Sequence, residues 1–334
     1  MAIGKFWYLP VLTLAWMVSI HDSAAADPAA QEKIGRPVRV VSLSCRAQPM
    51  RDVLSVVDAE GARGADLVVL PETWRGQNDH TRETLQGPTL RELGKLAKEH
   101  QMYIVSPIDR IDGAERMNSA VLLDRNGQVA GIYDKVFPYW SELDYSQPVK
   151  IAKDVPVFDT DFGRLGIAIC FDVNFPEVWQ ALADQGAELV VWPSAYSAGS
   201  SLQAHAINHH YYIVSSTHLG DCQVFDITGE KILDERGDGI HVSRITLDLD
   251  RGIYHDNFNG PGRDNLLKER GDDVELEKTL EREQWYVLRA KRPGVSARKL
   301  AEFYGMEELR DYVERSRREL NKRRGAPVEP LAHD

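Results

Sequence analysis

The short run DLVVL (66–70) sets the tightest limit on how this chain can fold. Its four consecutive apolar residues leave no polar face. It therefore reads as a strand covered on both sides, the kind found inside layered α/β proteins. VRVVSLS (38–44), YIVSPI (103–108), RLGIAI (164–169), ELVVWP (188–193) and YYIVSST (211–217) are further β-rich runs. Amphipathic stretches fall between them, near 50–62, 89–100, 176–185 and 202–209, with the apolar spacing of helices that bury one face. The alternation predicts a layered α/β domain with mixed sheets.

Two hairpins punctuate this pattern. NSAVLLD (118–124) and QVAGIYDK (128–135) flank Arg125-Asn126-Gly127, and Asn-Gly between apolar runs is a strong turn signal. CQVFD (222–226) and EKILDE (230–235) bracket Ile227-Thr228-Gly229, and HVSRITLDLD (241–250) closes the sheet region. Past residue 257 the character changes. FNGPGRDN (258–265) is rich in Gly and Asn and precedes a highly charged stretch, so an irregular arm is expected there. Two short helices, near 296–304 and 306–323, complete the chain.

The first 26 residues stand apart. Lys5 precedes an apolar run at 6–20, and Ser23-Ala24-Ala25-Ala26 supplies small residues before Asp27. This is the layout of a secretory signal cut after Ala26, which implies a periplasmic or secreted protein. The rival is an uncleaved anchor. However, a run of this length, interrupted by Pro10, falls short of the roughly 20 residues a spanning helix needs. No later segment has the length and apolar character to span a bilayer. The expected organisation is thus a signal (1–26), a main α/β domain (36–256) and a C-terminal arm with short helices (257–334).

The net charge of −11 argues against nucleic acid as a partner. The basic stretch ERSRRELNKRR (314–324) is interleaved with Glu and reads as a solvated helix face. The cysteines are Cys45, Cys170 and Cys222, an odd count. At least one thiol must stay free or pair outside the chain, while Cys45 and Cys222 are candidates for a mutual disulfide.

Three chemically distinct side chains sit just after predicted strands: Glu72, Lys135 and Cys170. Ligand crevices form at strand ends of α/β sheets, so the three can converge on one pocket. Each alone is commonplace: a strand-end Glu is usually a solvated cap, a Lys after a hairpin is usually exposed, and free cysteine packs like a small hydrophobe. Together they complete a mechanism. A cysteine nucleophile needs a proton acceptor and a neighbouring cation. A glutamate takes the thiol proton and later activates water, and an ammonium stabilises a developing oxyanion.

LPETW (70–74), YDKVFP (133–138) and GRLGIAICFDVNFPE (163–177) resemble, in order, the three motif blocks of the nitrilase superfamily, the carbon–nitrogen hydrolases. The resemblance implies a Glu72–Lys135–Cys170 triad and a four-layer αββα sandwich. It also implies pairing with further copies into a homodimer or larger homo-oligomer. A second glutamate often follows the family's lysine. In YWSELD (139–144) the best match is Glu142, with Asp144 as a competitor because Ser141 stands where many relatives have Gly.

The implied chemistry is attack by Cys170 on an amide, carbamoyl or nitrile carbon, with Lys135 and the Phe171 N–H holding the oxyanion. A thioester forms and is then hydrolysed. No metal or cofactor is needed, and consecutive His209-His210 lack the spacing of a helical metal pair. Asp172, with Phe175-Pro176-Glu177 behind it, resembles the amidase and N-carbamoyl hydrolase branches, whereas true nitrilases more often carry Trp-Glu after the cysteine. Trp192, Ser194 and Tyr196 after the next strand, and Tyr139 and Trp140 from the lysine loop, are expected to line the acyl pocket. The alternatives are a nitrilase proper, a silent binding protein of the same fold and, ranked lowest, an acyl transferase.

Overall fold

The computed structural model describes residues 33–325, and the segment read as an export signal (1–26) lies outside them. The chain begins with β1 (Pro37–Ser44), α1 (Met50–Ala62), β2 (Leu67–Val69), α2 (Pro88–Glu99) and β3 (Tyr103–Asp112). Next come β4 (Glu115–Leu123), β5 (Val129–Asp134), the single turn α3 (Trp140–Leu143), β6 (Val157–Thr160) and β7 (Gly163–Ile167). A short 3-10 helix (Cys170–Asn174) leads into α4 (Pro176–Asp184), β8 (Leu189–Ser194), α5 (Gly199–His209) and β9 (Tyr212–Thr217). The strands β10 (Asp221–Phe225), β11 (Lys231–Arg236) and β12 (His241–Asp248) complete two six-stranded sheets.

Their orders are β12-β1-β2-β3-β4-β5 and β11-β10-β9-β8-β7-β6. The central strands β1-β2-β3 and β7-β8-β9 run parallel, and the outer strands pair antiparallel. Alternation along each strand sorts the side chains into three packed interfaces. Val38, Val40, Leu67, Val69, Leu165, Ile167, Val191 and Val214 meet between the sheets. Val68, Leu70 and Val121 face outward onto Val53 and Val57 of α1 and Leu93 of α2. Val190 and Ile213 face outward onto Trp179 of α4 and Leu202 of α5. The four-layer αββα sandwich follows, and DLVVL is covered on both faces as expected. Hydrogen bonds also cross between the sheets: Ser42 Oγ donates to Ser215 O at 2.7 Å, and Ser216 Oγ to Leu43 O at 2.5 Å.

The region after 257 corrects the expectation of an irregular arm. FNGPGRDN lies inside a helix, α6 (Asp256–Arg270), between β13 (Gly252–His255) and β14 (Val274–Leu280). The charged stretch forms β14 and β15 (Trp285–Ala290), giving a third sheet of order β13-β15-β14. Turn-forming composition misled because its residues serve packing. Asn259 donates to His255 O and Glu307 O and accepts from Glu307 N, closing the helix against the following loop. A Cβ at Gly262 would sit 2.7 Å from Tyr304 O, so only glycine admits that approach. The two terminal helices occur as α7 (Ala297–Phe303) and α8 (Leu309–Arg324). Arg298 bridges Glu188 at 2.7 Å and Glu308 at 2.8 Å, holding them against the second sheet.

All three cysteines are buried and free, so Cys45 and Cys222 form no disulfide. Each packs in the core as a small hydrophobe, Cys45 beneath the first sheet's helices and Cys222 between the sheets.

Gly127, at the tip of the β4–β5 hairpin, has φ +73°, and a Cβ there would lie 2.1 Å from Gly94 O on α2. Gly127→Ala is therefore expected to cost about 2–4 kcal/mol, combining left-handed strain with a backbone clash. Chemical denaturation checks this, and unchanged stability would refute the close packing of hairpin on helix.

Candidate active site

The carboxyl ends of β1, β2, β5, β7 and β8 open onto one cleft of about 840 Å³. Glu72, Lys135, Glu142 and Cys170 all line it. The first sheet supplies Glu72, just past β2, and Lys135, just past β5; the second sheet supplies Cys170, three residues past β7.

Lys135 is the electrostatic centre. Only 1% exposed, its Nζ donates to Glu72 Oε1 at 2.8 Å and to Glu142 Oε2 at 2.7 Å. Burial alone would depress the ammonium's pKa. Attraction to Glu72, Cys170 and Glu142 outweighs it and raises the value. Burial likewise works against the Glu142 carboxylate, but Lys135, Gln77 and Asn118 hold its pKa below the ordinary value. Glu142 Oε2 also accepts from Tyr139 N at 2.8 Å, fixing α3 over the site. Asp144 is exposed, so the structure brings Glu142 and not its competitor to the lysine.

Asn118 of β4 is the principal site residue that sequence reasoning missed. Fully buried, its Nδ2 donates to Glu72 Oε1 and to Glu142 Oε1, each at 2.8 Å. Its backbone carbonyl accepts from Lys135 N at 2.9 Å. The only available signal was a polar residue opening the otherwise apolar run NSAVLL. Glu72 Oε2 is held in turn by Ala195 N at 2.9 Å, and Glu72 O lies 2.5 Å from His218 Nε2.

Cys170 does not continue its strand. It opens the 3-10 helix with φ +48°, a left-handed conformation unfavourable for a residue with a side chain. The turn is held from behind. Trp192 Nε1 donates to Cys170 O at 3.0 Å, Trp179 Nε1 to Asp172 O at 3.0 Å, and His205 Nε2 lies 2.9 Å from Val173 O. Burial first, then the nearby Glu72 carboxylate, pushes the Cys170 thiol up to about 12, against the opposing pull of Lys135. Burial and Glu72 thus favour the protonated sulfur.

The expected acyl-pocket residues divide. Tyr139, Phe171 and Tyr196 line the cleft, with the Tyr139 and Phe171 rings edge to face at 5.3 Å. Trp192 and Ser194 do not line it. Trp192 is fully buried among Val190 and Leu202, behind the nucleophile turn. The buried Ser194 hydroxyl accepts from Tyr196 N at 3.0 Å. Alternation along β8 turns Trp192 into packing support, whereas the Ser194 side chain also hydrogen-bonds the Cys170 sulfur. Trp140 is 72% exposed and lies outside the cleft lining. Arg46, Trp74, Gln77, Tyr145 and His218 complete much of the wall.

Asp172 ties the cysteine turn to the lysine strand. Its carboxylate accepts from Tyr133 Oη at 2.7 Å, Ile169 N at 2.8 Å and Phe137 N at 2.9 Å. Burial still lifts its pKa to about 6 from the ordinary 3.8. Between those values the folded chain holds a proton that the unfolded chain has released. The group's stabilising contribution is therefore complete below pH 3.8 and is lost as pH rises through about 6. The stability difference between wild type and Asp172→Asn should change by on the order of 3 kcal/mol between pH 4 and pH 7, to the detriment of wild type. Unfolding titrations at both pH values check this, and a pH-independent difference would refute it.

Comparison with known proteins agrees with this geometry. The carbon-nitrogen hydrolase family profile matches residues 41–251. A nitrilase of Pyrococcus abyssi is 30% identical over 183 residues, covering 51% of this chain and 69% of that protein. The N-carbamoylputrescine amidase of Arabidopsis thaliana is 27% identical over 261 residues, 70% of this chain and 84% of its own. In fold, the chain resembles a crystal structure of an amidase from Nesterenkonia sp. The TM-score is 0.56 at 23% identity, covering 64% of this chain and 91% of that one. The sandwich and the matched stretch, which carries all four cleft-floor residues, place this chain in the carbon-nitrogen hydrolase family, the nitrilase superfamily.

Proposed function

We propose that the chain hydrolyses a small amide or N-carbamoyl compound through a thioester on Cys170. The observation that carries this reading is the buried Lys135 ammonium, 2.8 Å from Glu72 and 2.7 Å from Glu142, on the same cleft floor as the thiol. With the sulfur's pKa raised by burial and Glu72, deprotonation accompanies attack. Glu72 takes the Cys170 proton as sulfur bonds to the carbonyl carbon. Two of the three Lys135 N–H groups are engaged by carboxylates, which leaves the third for the developing oxyanion. The Phe171 N–H, at the start of the 3-10 helix where no intrahelical acceptor exists, supplies a second donor.

Glu72 then returns the proton to the departing ammonia or amine, and the carbon–nitrogen bond breaks. Water deprotonated by Glu72 attacks the thioester, releasing the acid and restoring the thiol. Glu142 and Asn118 hold Lys135 and Glu72 in register throughout. Phe171-Asp172 after the nucleophile, where nitrilases more often carry Trp-Glu, favours amide and ureido bonds over nitriles. The amidase relative, which matches the longer stretch of this chain, supports the same choice.

Incubation with a panel of amides, N-carbamoyl compounds and nitriles, followed by mass spectrometry of the intact chain, tests the reading. An acyl adduct on Cys170 and ammonia release from amides or ureides are expected. Cys170→Ala should lose about 10⁴-fold or more in kcat, and Glu72→Gln about 10³-fold or more. Turnover of nitriles alone would assign a nitrilase, and equal inactivity of wild type and Cys170→Ala would leave a binding protein of this fold. We further propose export directed by residues 1–26 and assembly into a homo-oligomer. A mature chain retaining those residues, or a monomer by light scattering, would overturn the respective point.

A further inference from the structure

We propose that the substrate carries a carboxylate besides its scissile carbon–nitrogen bond, and that Arg46 recognises it. The proposal rests on the hydrolase reading above and adds the substrate's charge. Among the described residues, the cleft is lined by only two Lys or Arg side chains, Lys135 and Arg46. Lys135 is taken up by the two carboxylates of the cleft floor. Those two glutamates are also the only acidic residues lining the cleft, and both turn inward to Lys135.

Arg46 is in a different position. It follows β1 at the cleft wall, on a backbone fixed by the bond from Cys45 N to Thr217 O at 3.1 Å. Its side chain is exposed and makes no ion pair or hydrogen bond among the described residues; only its backbone carbonyl is engaged, by Gln48 Nε2. Buried arginines on the neighbouring strands are paired: Arg116 with Asp109 at 2.7 Å, and Arg110 with Asp134 at 2.8 Å. An unpaired guanidinium on a cleft wall, in a chain of net charge −11, is a cation available for an incoming anion.

His218 lines the same cleft as Arg46. That ring reaches Glu72 O at 2.5 Å, and it feels the Arg46 charge as well. Arg46, His218 and the reacting groups thus line one cleft, which a substrate with a short carbon chain can occupy. Much of the cleft wall is aromatic, with Trp74, Tyr145, Phe171 and Tyr196. Such a wall packs against the carbon chain of a substrate, while the guanidinium can take its carboxylate in a bidentate contact. A volume of about 840 Å³ also exceeds what a bare short amide fills.

The carboxylate can sit on the acyl side or the leaving-amine side of the bond, and two substrate pairs separate these cases. Glutaramate is compared with pentanamide, and 3-ureidopropionate with N-propylurea, each pair differing by carboxylate against methyl. Wild type should prefer the anion in at least one pair by about 10-fold or more in kcat/KM. That ratio should fall about 10–100-fold in Arg46→Ala, recover largely in Arg46→Lys and invert in Arg46→Glu. In parallel, glutarate should bind Cys170→Ala with a Kd about 10-fold or more below that of the Cys170→Ala/Arg46→Ala double variant. Turnover of neutral and anionic members with equal efficiency, or a ratio unmoved by Arg46→Ala, would overturn the carboxylate proposal and leave the hydrolase reading intact. Arg46-dependent glutarate binding without turnover of any compound would do the reverse. No turnover together with glutarate binding indifferent to Arg46 would overturn both.

Discussion

A single ammonium held between two carboxylates in the interior organises this molecule. Lys135 has almost no contact with solvent, and burying one charge without partners costs several kcal/mol. Glu72 and Glu142 offset that cost, and their own spare oxygen lone pairs are filled by Asn118, Gln77, Tyr139 N and Ala195 N. A network with every carboxylate oxygen engaged has one low-energy arrangement. The strand ends that carry it are therefore held to a single geometry, and the cleft is shaped before any ligand arrives.

The two sheets contribute unequally. The first supplies the glutamates, the lysine and the asparagine, while the second supplies the thiol on a strained turn. Asp172 is the hinge between them, accepting one donor from the cysteine turn and two from the lysine strand and its loop. Trp192, Trp179 and His205 brace the turn's carbonyls from the helix side. The left-handed Cys170 backbone persists because its surroundings over-determine it. Strain and support together aim the sulfur at the cleft instead of into the core, where its neighbours Ile167 and Ile169 lie.

Much of the fold was legible along the chain. DLVVL, ELVVWP and the two hairpins carry local signals, because side-chain alternation and turn chemistry act within a few residues. The stretch after 257 was misread for the same reason. Gly, Pro and Asn usually mark turns, yet here Gly262 admits a backbone contact and Asn259 closes a helix against residue Glu307, 48 positions away. Local composition carries no information about such partners.

For the site, the sequence by itself determined the chemical types, a carboxylate, an ammonium and a thiol, and their positions just past strands. Those follow from periodicity and from what a cysteine nucleophile requires. Only the tertiary structure decided that Glu142 and not Asp144 meets the lysine, that Asn118 joins both carboxylates, and that Trp192 braces the nucleophile from behind. It alone also left Arg46 on the cleft wall with no ion pair among the described residues. The physical reason is that alternation tells which face of a sheet a side chain takes. It does not tell whether that face meets a cleft or a helix, nor which distant charge stands 2.8 Å away.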